Sequence, residues 1–251
     1  MMKTIVFANQ KGGVGKTTSA VNIAAALGIA GKRTLLVDFD PQGNATSGVG
    51  VRKPQVTSYD VVIGRRPASD AVIKTDFKNL YVIPASMPLA AADFELADLE
   101  KRESRLRNAL ETISGSYDYA VIDCPPSLGL LTVNALVAGD GVVIPMQCEY
   151  FSLEGLSQIM MTVKQVKKLY NPSLSLTGIL ITMYNGRLNL SVSVLDEIKK
   201  YYADKLFKTP IQRNVRVSEA PSYGMPIQYY DKYSRGGLGY TEIAAEIMER
   251  I

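Results

Sequence analysis

At 251 residues with 47% hydrophobic side chains, the chain can fill the core of one large α/β domain or two small ones. It has no histidine, which excludes histidine bases, metal ligands and pH switches, and its net charge of +4 is too small to establish a nucleic-acid partner by itself. Cys124 and Cys148 form no CxxC pair, which argues against a disulfide framework or zinc site and fits a reducing cytosol, and no apolar run approaches the ~20 residues of a membrane span.

The opening Met-Met-Lys-Thr-Ile-Val-Phe is too short an apolar run for a signal peptide, and Thr4 to Ala8 predicts a first strand. Next comes Lys11-Gly12-Gly13-Val14-Gly15-Lys16-Thr17-Thr18, then a helical run from Ser19 to Ala30 with Gly31 at the position of a C-terminal cap. Strand, glycine-rich loop and helix form the setting of a phosphate-binding loop. Glycines let successive N–H groups turn toward one anion, and the helix N-terminus adds positive potential. Lys16 can reach the β- and γ-phosphates, and the Thr17 hydroxyl can ligate Mg²⁺.

Arg33 to Asp38 is an unbroken apolar run ending in an acid, as expected of a parallel strand covered on both faces. Asp38 and Asp40 then stand at a strand end beside the loop, placed for Mg²⁺ and water, and Pro41 and Gly43 mark a loop that can move. Residues 51–80 carry a basic tint and little else. Leu80 to Pro84 predicts a strand, and Glu95 to Ser114 predicts one charged helix with Leu99, Leu106, Leu110 and Ile113 as its apolar stripe. Tyr117 to Pro126 reads as a strand whose apolar run ends at Asp123, with Cys124 as a small core residue. Gly141 to Met146 and Leu176 to Met183 predict strands; Leu156 to Tyr170 and Leu188 to Tyr202 predict helices. Between Lys199 and Arg216 six basic residues face one acid, Asp204, which fits either a solvated face with ion pairs or a surface tracking nucleic-acid phosphates. From Tyr240 the chain predicts a helix with Ile243, Ile247 and Ile251 on one face and an acidic polar face, suited to packing on the sheet and unlike a membrane-surface helix.

The loop departs from the usual phosphate-loop pattern: Gln10 replaces the first glycine and a second lysine, Lys11, stands at the front. It resembles the deviant Walker A motif, Lys-Gly-Gly-x-Gly-Lys-[Ser/Thr], of the ParA/MinD family. Four further stretches are similar to chromosomal-type ParA (Soj) members: 35–46, 119–129, 147–155 and 213–236. The resemblance covers nearly the whole chain. It implies a single P-loop ATPase domain over 1–251, with one doubly wound, mostly parallel sheet flanked by helices. With the loop starting near residue 10, the expectation is the short chromosomal form without an N-terminal helix-turn-helix extension.

What the resemblance implies for the site is specific. ATP and Mg²⁺ bind at the 11–18 loop; Lys11 reaches across a homodimer to the partner's ATP, with Gly12 small for that approach and Glu149 near the interface. Asp40 orients the attacking water, and Asp123 holds Mg²⁺ through a water. Gln212 and Asn214 border the adenine, Gln212 standing where relatives carry proline; Met225 stands where relatives often carry lysine. Arg187 and Arg216, then Lys199, Lys200, Lys232 and Arg235, are the implied contacts to nonspecific double-stranded DNA. A ParB-like centromere-binding protein is the implied stimulator of hydrolysis, and the cytoplasm and nucleoid the implied location. The alternatives are a MinD-like membrane-cycling ATPase, against which the acidic C-terminal helix argues, and a nucleotide-gated DNA-binding regulatory switch without stimulated turnover.

Overall fold

The computed structural model describes residues 2–251. Strand β1 (Lys3–Phe7) leads through the glycine-rich loop into α1 (Lys16–Ile29), and β2 (Thr34–Asp38) follows. Three short helices, α2 (Asn44–Gly48), α3 (Ser58–Ile63) and α4 (Ala68–Ala71), precede β3 (Ile73–Lys74) and β4 (Leu80–Ile83). Helices α5 (Ala92–Glu95) and α6 (Arg105–Glu111), strand β5 (Tyr119–Asp123), α7 (Leu130–Ala138) and β6 (Gly141–Met146) come next. The remainder is α8 (Ser152–Leu169), β7 (Ser175–Ile181), α9 (Asn189–Tyr202), α10 (Val215–Glu219), α11 (Ile227–Tyr230) and α12 (Arg235–Arg250).

The seven strands form one sheet in the order β3-β4-β2-β5-β1-β6-β7, parallel except for β3 against β4. Consecutive residues of the central strands enter opposite faces, as the period of two requires. Ile5 and Phe7 join α1 and α12 on one side; Val6 and Ala8 join α7 and α8 on the other. Both faces are covered, which explains why these strands read as continuous apolar runs. The mostly parallel, doubly wound reading of the sequence therefore holds. Because β1 pairs with both β5 and β6, the phosphate loop, Asp123 and the end of β6 meet at one edge, the carboxyl end of the strands.

The C-terminal helix starts at Arg235, five residues before its predicted start at Tyr240. Its early glycines serve close packing: a Cβ on Gly236 would lie 2.2 Å from Val217 Cγ2, and one on Gly239 would lie 2.9 Å from Ile211 Cδ1. Ile243 and Ile247 are fully buried and pack with α1, so the apolar face of α12 is occupied.

The single helix expected over 95–114 is corrected. The segment breaks into a short turn at Leu96–Asp98, an extended Leu99, Lys101 in the left-handed region at φ 53°, and α6. The reason lies in α7. Buried Asn134 accepts a hydrogen bond from the Leu106 backbone N–H at 3.2 Å and donates to the Arg102 carbonyl at 2.8 Å. A tertiary partner thus satisfies groups that a continuous helix would have satisfied internally.

Candidate functional site

The loop's shape is set by two left-handed glycines, Gly13 at φ 74° and Gly15 at φ 82°, the latter immediately before α1. Three side chains pin it from outside. Buried Asn9 accepts the Lys11 N–H at 3.0 Å and donates to the Pro145 carbonyl at 2.8 Å. Gln147, just past β6, donates to the Gly13 carbonyl at 2.8 Å. Thr182, just past β7, donates to the Val14 carbonyl at 2.8 Å and sits under Gly15. These three escaped the sequence reading. Their only signal was a polar residue just past a buried strand, which becomes meaningful once β6 and β7 are known to lie beside the loop.

Lys16 is buried, and its Nζ donates to the Lys11 carbonyl at 3.0 Å. Burial lowers its pKa, opposed chiefly by the charge of Asp123 and then by that of Asp40. Facing it are the buried carboxylates Asp40 and Asp123, and buried Asp38 lies next to Asp123. Burial pushes Asp38 up to about 6, although its carboxylate accepts the Thr46 N–H at 2.7 Å and the Thr46 hydroxyl at 2.6 Å. These bonds hang α2 directly from the end of β2. Asp40 caps its own turn, accepting the Gln42 N–H at 3.0 Å.

Asp123 is fully buried, and burial followed by the Asp38 charge holds its carboxyl well above the usual carboxylate range. Thr17 lies alongside and opposes that shift, yet among the described residues neither carboxylate oxygen meets a donor in hydrogen-bonding geometry. A buried acid with two orphaned oxygens calls for a missing cation or donor. Among the described residues no cluster of three Cys, Asp or Glu side chains could hold a metal by itself. That suits Mg²⁺, which keeps several waters and takes phosphate oxygens alongside one or two protein ligands. The residues present fit the ion. Burial raises the Cys124 thiol well above its ordinary range, so it behaves as the core residue expected.

Lys11 lies at the half-exposed rim, where its Nζ pairs with Glu149 at 2.5 Å. The sequence-predicted interface residues are thus brought together within one chain. A Cβ on Gly12 would meet only Pro126 Cβ, at 3.9 Å, so this side of the loop is open. A cleft of about 550 Å³ adjoins it, lined among others by Gln147, Glu149, Met183, Arg187, Gln212 and Arg235. Gln212 accepts from Arg235 Nη1 at 2.9 Å. Asn214 does not line this cleft; its side chain accepts the Arg216 N–H at 2.8 Å and caps α10.

The six basic candidates fall into separate groups. Arg187 and Arg235 share the cleft. Lys199 and Lys200 lie in the last turn of α9, paired with Asp196 and Glu197 one turn back. Arg216 pairs with Glu219 and Asp231, and Lys232 rests 4.7 Å over the Tyr233 ring.

A family model described as an AAA domain matches residues 2–176. The sporulation initiation inhibitor protein Soj of Bacillus subtilis is 54% identical, covering 98% of both chains. The chromosome-partitioning ATPase Soj of Treponema pallidum is 50% identical, covering all of this chain and 98% of the relative. Among solved structures, cobyrinic acid a,c-diamide synthase of Mycobacterium smegmatis superposes with a TM-score of 0.86 at 36% identity, over 99% of this chain and 95% of that one; it was solved with ADP and magnesium and with an ATP analogue and magnesium. With the loop, the sheet order and full-length relatives in agreement, the chain belongs to the Soj/ParA family of chromosome-partitioning ATPases.

Proposed function

We propose that the chain, as one unit over 1–251, is an ATP-hydrolysing DNA-partitioning switch. ATP closes two copies face to face, the closed dimer binds duplex DNA without sequence preference, and hydrolysis releases it. The observation that carries this reading is Lys11: a second lysine on an open flank of the phosphate loop, whose side chain is held, among the described residues, by the exposed Glu149 alone, beside the open space at Gly12.

The loop N–H groups and Lys16 hold the β- and γ-phosphates, and burial of Lys16 strengthens its pull on them. Mg²⁺, when bound beside Thr17 and Asp123, neutralises charge developing on the β- and γ-phosphates. Asp40 orients water for in-line attack on the γ-phosphate, and Lys11 of each copy reaches the other copy's phosphates. Gln212 borders the base from the cleft, and Asn214 shapes that border by capping α10. Arg187, Arg216, Lys199, Lys200, Lys232 and Arg235 contribute phosphate contacts. Pairing two copies doubles their number, which turns a weak patch into an effective one. A ParB-like partner stimulates turnover, and the protein works on the nucleoid in the cytoplasm. The relatives' names as Soj and chromosome-partitioning proteins support this reading. No helix among the described residues is long and apolar enough to cross a membrane, and the buried apolar face of α12 gives no support to membrane anchoring.

Light scattering with ATP and Mg²⁺ tests it. The wild type and Asp40→Ala should form dimers, Asp40→Ala persistently because it hydrolyses little. Lys16→Ala should not bind ATP, and Lys11→Ala should bind ATP yet stay monomeric. Dimers of Lys11→Ala would overturn the reading; ATP-gated DNA binding without stimulated turnover would leave a regulatory switch.

A further inference from the structure

Among the basic candidates, Arg216 alone is held by two acids on two different elements. Its Nη1 lies 3.1 Å from Glu219 Oε2 at the end of α10, and its Nε lies 3.8 Å from Asp231 Oδ2, just past α11. One guanidinium between two carboxylates sums to one negative charge, so this cluster repels a phosphate rather than attracting it. The acids are themselves fixed. The Tyr230 hydroxyl donates to Glu219 at 3.1 Å, and Asp231 accepts the Ser234 N–H at 3.1 Å. The mobile member is therefore the arginine, whose side chain is more than half exposed. Arg187, by contrast, has no carboxylate partner among the described residues.

The clamp also touches the loop that follows Asp40. Glu219 runs directly into the turn Ala220–Tyr223, which ends at Gly224 in the left-handed region at φ 65°. A Cβ on Gly224 would lie 2.9 Å from Gly50 Cα and 3.4 Å from the Ser47 carbonyl. The clamp's turn therefore packs backbone to backbone on the end of α2, and α2 hangs from Asp38 through Thr46. A shift of residues 40–48 reaches Glu219 with no compliant side chain between. From the other side, Asn22 in α1, one turn beyond the phosphate loop, accepts the Ile227 N–H at 2.7 Å and fixes the start of α11.

We infer that Glu219 and Asp231 form an acid clamp that withholds Arg216 from DNA until the Asp40 loop rearranges around nucleotide. This rests on the DNA-partitioning reading above, and it assigns that surface a built-in block.

The test measures binding of the full chain to random-sequence duplex DNA, without nucleotide and with ATP and Mg²⁺, and reads the ratio of the two affinities. Removing acids raises affinity in both states, so the ratio is the discriminating quantity, and Asp70→Asn/Glu111→Gln, two acids elsewhere, is the control. The double variant Glu219→Gln/Asp231→Asn should bind more tightly without nucleotide and lower the ratio about fourfold or more, the order expected for two exposed ion pairs. Its basal ATP hydrolysis should match the wild type. A ratio equal to that of the wild type and the control, in a wild type that is itself ATP-gated, would overturn the clamp and leave the partitioning reading standing. A wild type that binds no DNA in either state would overturn both.

Discussion

Asp123→Asn should stabilise the nucleotide-free protein while destroying its response to MgATP. The carboxylate is fully buried and, among the described residues, neither oxygen meets a donor, so its charge is uncompensated except by nearby Lys16. An unsatisfied buried polar group costs about 1–3 kcal/mol, and more when charged. Asparagine keeps the shape and sheds the charge but leaves a buried amide unpaired, so the gain expected at pH 8 is only the excess cost of the charge, about 1 kcal/mol, or roughly 2–4 °C in melting temperature for a chain of this size. The sign with pH follows from the raised pKa. The folded state holds the Asp123 proton more tightly than the unfolded chain, so wild-type stability declines as pH rises from the ordinary carboxylate range through the folded pKa. The variant lacks that decline, and its advantage should widen from pH 5 to pH 8. Thermal melts in EDTA at both pH values measure this. Adding MgATP should then stabilise the wild type, by about 2.7 kcal/mol at a hundredfold excess over Kd, and leave the variant unmoved. A variant that melts below the wild type at pH 8 in EDTA, or that keeps the full MgATP shift, would refute the reasoning.

The remaining predictions concern the supports around the site. Asp38, pushed up from 3.8 to about 6, should make the fold lose up to about 3 kcal/mol as pH rises from ~4 to ~6; Asp38→Asn should flatten that slope in urea melts at pH 4.5 and 6.5, although it weakens the hold on Thr46. Thr182→Val removes the hydroxyl that ties down the Val14 carbonyl and should cost about 1–2 kcal/mol of stability and weaken ATP binding severalfold, read by calorimetry. Arg250→Ala loses hydrogen bonds to the Thr177, Lys205 and Leu206 carbonyls, an ion pair to Glu246 and stacking 4.5 Å over Phe207; it should cost about 2–4 kcal/mol in denaturant melts with ATP affinity unchanged.

The six parallel strands were legible because burial on both faces makes them apolar runs, and Gly141–Met146 matches its predicted limits; β3 (Ile73–Lys74), the short antiparallel strand at the sheet edge, is not buried on both faces and was not read. Helix α7 was not legible. Its sequence, Leu-Leu-Thr-Val-Asn-Ala-Leu-Val-Ala, is apolar nearly all round, so no amphipathic period marks it. The break before α6 depends on Asn134, which lies in that same unread helix. In the candidate site, Lys16, Thr17, Asp40 and Asp123 could be singled out from the sequence because each closes a local pattern of strand, loop or helix. Asn9, Gln147 and Thr182 could not, since the latter two grip the loop from 134 and 168 residues away, and only the order β1-β6-β7 brings them to it. The grouping of the basic residues was equally hidden. Composition counts arginines and lysines, whereas the fold decides which of them, like Arg216, already have acids in front of them.

Binding of Asp40→Ala to random-sequence duplex DNA, without nucleotide, with ADP and with ATP and Mg²⁺, across a salt series, tests the partitioning switch most directly. Tight binding only with ATP, falling steeply with salt and weakened in Arg216→Ala, is the expected result. Binding that is equal in all three states, or absent in all three, would contradict it.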